Sequence, residues 1–136
     1  PLFRSVMHRL LQRWGARLVL FASLVIAAVR WLLVGSAPET LSLVLLAQTM
    51  HAATFGTFHA AAIHLVHHFF VGRHQGRGQA LYSSISFGAG GALGSLLSGY
   101  LWTSIAPSSI FFVSAGYAGL AVYIAWRWIG LRDATA

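Results

Sequence analysis

Long apolar runs separated by short polar breaks dominate the chain, and the lengths of those runs set the first expectation. A helix rises about 1.5 Å per residue, so about 20 residues cross a hydrocarbon core about 30 Å thick. Four runs are long enough, at residues 18–35, 41–66, 79–103 and 107–129. Their formal charges are Arg30 in the first and Arg127 near the end of the fourth. Lipid offers no partner to backbone N–H and C=O groups, so spanning segments are helices or closed barrels. Barrel strands are shorter, about 10 residues, and alternate apolar with polar side chains. These runs do neither, and the pattern predicts an all-α membrane protein with four transmembrane helices.

The breaks agree with that division. Residues 36–40 and 104–109 are short turns containing Pro38 and Pro107, and their Ser and Thr side chains can cap the helix that follows. Residues 71–78 read as a polar, glycine-rich loop carrying Arg73, His74 and Arg77. Ahead of the first run, Leu2, Phe3, Val6, Met7, Leu10, Leu11 and Trp14 recur at helical spacing, with Arg4, His8, Arg9 and Arg13 opposite. An interfacial helix is one reading of this stretch. The other is the cytoplasmic end of a preceding membrane helix, which the start at Pro1 inside the amphipathic stretch favours. Residues 1–17 are accordingly expected to be the end of that helix and a cytoplasmic loop. Residues 18–129 would form the four spans, and residues 130–136 a cytoplasmic tail. A secretory signal is disfavoured, because residues 1–17 hold four arginines and no small-residue cleavage site.

Composition strengthens the membrane reading. Apolar residues make up 57% of the chain and charged residues 8%, against about a quarter charged in average globular chains. Mean hydropathy is +0.72. So few charges could hardly clothe a soluble surface. A net charge of +7 can signal nucleic acid. Here it accompanies long charge-free stretches, so the partner expected is membrane lipid and no nucleic acid. With no cysteine, disulfides and thiolate metal sites are excluded. Arg4, Arg9, Arg13 and Arg17 precede the first span, Arg73 and Arg77 lie between the second and third, and Arg127 and Arg132 close the chain. The two proline-containing turns have no basic residue, and one holds Glu39. The positive-inside rule then predicts a multi-pass protein of the cell inner membrane with both ends and the 71–78 loop cytoplasmic.

Candidate chemistry concentrates in the second span. Gln48, His51, Thr54, Thr57, His59 and His64 are polar side chains where lipid or protein should surround the helix, and such groups usually face a bundle interior or a wet cavity. At about 100° per residue, Gln48, His51, Phe55, His59 and Ala62 share an arc of about 80°. That stripe suits a substrate path, with hydrogen bonding between helices as the competing reading. His51 or His59 could take part in proton coupling, and a neutral imidazole that only hydrogen-bonds is equally compatible. His64, His67, His68 and His74 raise a metal or haem site. No carboxylate or thiolate accompanies them, so solvated interfacial histidines are expected, with no metal and no cofactor.

Arg30 lies six residues before the outer turn, and snorkelling to the interface beside Trp31 is the favoured reading. The competing one is contact with an organic anion. Gly90 and Gly94 form a GxxxG that Ser98 extends by a turn, a signal for close helix packing. Phe111, Phe112, Tyr117, Tyr123, Trp126 and Trp128 give the last span a lipid-facing, anchored character. No enzyme is expected: there is no G-x-S-x-G, HExxH, Walker or dinucleotide fingerprint. The only acids, Glu39 and Asp133, are placed in an outer turn and in the tail, so no carboxylate pair is expected for acid–base chemistry.

Several of these residues together resemble the phenylpropionate permease family of the major facilitator superfamily. They are Arg30-Trp31, the string Gln48-Thr49-Met50-His51 with Thr54-Phe55 and His59, then Gly78-Gln79-Ala80-Leu81-Tyr82 and the glycine-rich third span. The likeness runs from Phe3 to about Trp128. It implies a fragment of a twelve-helix fold, with these spans as helices nine to twelve and residues 1–14 as the end of helix eight. It also implies that the tenth helix lines the central cavity and that the eleventh packs tightly. Its partners would be a small organic solute such as an aromatic acid, protons, and the N-terminal helices of the same polypeptide. The transport implied is proton-coupled symport by alternating access. The family pattern it resembles has a glutamate in helix eight just before the stretch matching Leu2-Phe3, which implies that the proton-coupling carboxylate would lie outside this chain. The alternative is a stand-alone four-helix membrane protein, binding haem or metal or serving as a structural subunit.

Overall fold

The computed structural model describes residues 2–130, with side chains from Ser5 onward. The expected tail at 130–136 therefore lies outside the described residues beyond Gly130, as do the side chains of Leu2, Phe3 and Arg4. Helix α1, Leu2–Trp14, is followed after one residue by α2, Ala16–Ser36. The residue between them is Gly15, at φ 78°, a left-handed conformation that glycine adopts without steric cost. Helix α3 spans Leu41–Phe69. Neither Thr40 nor Ser108 caps its helix through the side chain. The 37–40 turn is held instead by the Thr40 N–H donating to the Ala37 carbonyl at 3.2 Å.

The polar loop expected at 71–78 is only half a loop. A single 3-10 turn, Gly72–His74, reverses the chain, and helix α4, Gln75–Ser83, begins at once. Gly72 supplies the reversal at φ 59°. Gly78 has a different purpose: the Phe70 ring lies against it so closely that a Cβ would meet Cγ at 2.5 Å. Its missing side chain permits a close approach, so a glycine that lowers helix propensity still sits inside a helix. Beyond α4 the helix widens into a π turn, Ser84–Ala89, and continues as α5, Gly90–Ser104. Helix α6, Ser109–Ile124, likewise ends in a π turn, Ala125–Ile129, which Gly130 terminates at φ 76°.

Four stretches among the described residues are long and apolar enough to cross a membrane: Ala16–Ser36, Leu41–Phe69, Gly72–Ser104 and Ser109–Ile129. No strand occurs among them. Helix α2 is the centre of the packing and lies against both α3 and α6. The core gathers at its N-terminal end, where Ala16, Val19 and Leu20 meet Ala61, Ala62 and Leu65 of α3 and Ala125. Small residues at these positions let the backbones approach. The Ser23 hydroxyl donates to the Val19 carbonyl and lies 2.8 Å from the Thr57 hydroxyl, joining α2 to α3. The third span is the least covered, with Gly78 and Leu101 as the buried residues of α4 and α5.

Candidate functional site

Packing divides the faces of α3. Ala47, Thr54, Ala61, Ala62 and Leu65 are its buried residues. On or beside that face the Thr54 hydroxyl donates to the Met50 carbonyl at 2.7 Å, and the Thr57 hydroxyl, 3.0 Å from the Ala53 carbonyl, donates to the Ser23 hydroxyl, whose own proton goes to Val19. For Thr57, paired with Ser23, polarity serves contact between helices. The stripe of Gln48, His51, Phe55 and His59 centres about a quarter-turn away by helical geometry. Gln48, His51 and Phe55 are exposed, His59 is half-buried, and Ala62 belongs to the core.

The stripe therefore has an open part toward the start of α3 and a closed end toward its C-terminus. In the open part the rings of His51 and Phe55 are 5.6 Å apart. At the closed end, the imidazole of His59 lies 5.9 Å from the Tyr82 ring and 5.8 Å from that of Phe87. Tyr82 and Phe87 meet edge-on at 6.1 Å, within the range of favourable aromatic pairs. The Tyr82 hydroxyl and His59 Nδ1 are 3.4 Å apart, a long hydrogen bond. Sequence reasoning passed over Tyr82 and Phe87 as site residues. Five positions apart, they share a side only because the helix between them is wound with i→i+5 bonds. Apolar grooves of about 340 and 400 Å³ flank α2, and neither is lined by Gln48, His51, Phe55 or His59.

The remaining candidates are placed individually. His64 is exposed, His67 Nε2 is 3.4 Å from Gln79 Oε1, and the Arg73 Nε–H points to His74 Nε2 at 3.5 Å. Among the described residues no three metal-ligating side chains converge. Arg30 does not reach outward: it is 5% exposed, with its guanidinium carbon 3.8 Å over the Trp31 ring. Trp31 in turn stacks on Phe111 at 6.0 Å, which draws that phenylalanine into the packing and away from a purely lipid-facing role. Gly90 and Gly94 are exposed and Ser98 is half-buried. A Cβ on Gly94 would meet nothing within 4 Å, and one on Gly90 only the Ile85 carbonyl of its own helix.

These features define a multi-pass α-helical membrane protein with a polar and aromatic face along one span. The chain belongs to the MFS_1 like family, whose model matches residues 1–113, and so to the major facilitator superfamily of membrane transporters. No curated protein and no solved structure matches it.

Proposed function

We propose that this chain forms helices nine to twelve of a secondary active transporter related to the phenylpropionate permeases. The carrier moves a small organic solute such as an aromatic acid, together with protons, by alternating access. It sits in the inner membrane with both ends of this segment cytoplasmic. The observation that supports this best is the face of Gln48, His51 and Phe55, exposed on a membrane helix and bounded toward its C-terminus by His59, Tyr82 and Phe87. Polar groups on a span are costly against lipid and are tolerated where a wet path runs. Phe55 offers a ring to a planar solute, and Gln48 and His51 offer hydrogen bonds to its polar end. The glycine row of α5 would seat a helix from the rest of the carrier. Family membership does not favour the stand-alone alternative, and a transporter of this superfamily is not an enzyme in general.

The test is uptake by the complete carrier with His51→Ala. Uptake of an aromatic acid is expected to fall by about tenfold or more, the loss of a hydrogen bond or two at a buried contact, with membrane abundance unchanged. Unchanged kinetics would remove His51 from the path.

A further inference from the structure

Buried polar side chains among the described residues are Ser23, Thr54 and Arg30. The two hydroxyls have acceptors. Arg30 has none: its Nε is buried without a partner, and no hydrogen bond or ion pair reaches its guanidinium among the described residues. Its contact is the face of Trp31, a ring that also stacks on Phe111. A guanidinium cannot discharge itself by losing a proton. A cation–π contact returns far less than the cost of withdrawing such a charge from water without a counter-charge. Glu39, the one acid among the described residues, stands exposed in the turn after α2.

The surroundings offer no counter-charge among the described residues. The Ser23–Thr57 pairing sets the register of α2 on α3. Two turns beyond Ser23, Arg30 comes level with Met50, beside His51 and between buried Ala47 and Thr54. The Thr54 hydroxyl already donates to the Met50 carbonyl. The ring stack holds the guanidinium by one face and leaves its edge, a fork of N–H donors that matches a carboxylate in plane, without a partner.

We infer that Arg30 is a carboxylate-binding site. The carboxylate comes either from the transported solute or from an Asp or Glu on a membrane helix outside this chain. The first source rests on the carrier reading above; the need for a counter-charge does not.

The experiment measures uptake of phenylpropionate and of neutral phenylpropionamide by the complete carrier, with the thermal midpoint of the purified protein. It compares wild type, Arg30→Gln and Arg30→Lys. If the solute supplies the carboxylate, Arg30→Gln raises KM for the acid by about tenfold or more and leaves the amide unchanged. If another helix supplies it, Arg30→Gln lowers the midpoint and the uptake of both. Replacing the partner carboxylate by its amide then restores them. In either case Arg30→Lys, which keeps the charge and loses the fork, falls between wild type and Arg30→Gln, and it is read alone if the glutamine variant is lost from the membrane. The inference is overturned if Arg30→Gln matches wild type in KM and midpoint, or if Arg30→Lys is as impaired as Arg30→Gln. If wild type transports neither compound, the aromatic-acid reading fails, and the midpoint alone then decides on Arg30.

Discussion

A methyl group added to Gly78 would lie 2.5 Å from Cγ and 2.7 Å from Cδ2 of Phe70. Carbon pairs in good contact sit about 3.5–4.0 Å apart, so one of the two residues must move. Phe70 is the cap residue just past the end of α3, and its ring lies on Gly78 of α4. Gly78→Ala should therefore destabilise the protein by about 1–3 kcal/mol, the range for an overfilled contact, read as a lower thermal midpoint in detergent. The double variant with Phe70→Ala should lose less than the sum of the two singles, because the clash disappears with the ring. Strict additivity would mean that the contact does not form in the membrane.

At the scale of elements, the last helix is held from outside itself. Its final π turn ends at Ile129, whose carbonyl accepts a bond from Arg17 Nη1 of α2 at 2.9 Å. A cation at a helix C-terminus satisfies an orphan carbonyl and opposes the negative end of the dipole, worth about 0.3–1 kcal/mol. Arg17→Gln should speed amide exchange over residues 125–130 while sparing the centre of α6, and unchanged exchange would count against the tie. Such a tie was not legible in the sequence, although the elements it joins were. Apolar runs of bilayer length marked the spans, because length and polarity are local properties. Their faces were hidden for a physical reason: in a run apolar all round, neither lipid nor neighbour selects a side by hydrophobicity. Thus the arc containing His51 and Phe55 could be computed from spacing, whereas the burial of Arg30 under helix packing could not. The π turn after Tyr82 hid its pairing with Phe87 in the same way, since the expected 3.6-residue winding separates them.

Across the whole molecule, charge distinguishes the two ends of the helix bundle. With successive spans alternating, the turns after α2 and α5 share one end, and α1, the Gly72–His74 turn and Gly130 share the other. The described arginines outside the spans' middles, Arg9, Arg13, Arg17, Arg73, Arg77 and Arg127, all fall at the second end, and Glu39 stands at the first. Retaining basic residues on the cytoplasmic side is the dominant orienting influence on short loops. Because these 136 residues contain no cysteine, single cysteines placed in the turns report sidedness without background from this segment. In intact cells, Thr40→Cys and Ile105→Cys should react with a membrane-impermeant maleimide, since both positions are exposed in or beside the turns at the end that lacks arginine. His74→Cys, exposed at the arginine-bearing end, should react only after the membrane is opened. The reverse pattern would invert the orientation, and it would place the His59–Tyr82–Phe87 cluster toward the outside of the proposed path. Labelling of all three positions from one side would contradict four alternating spans.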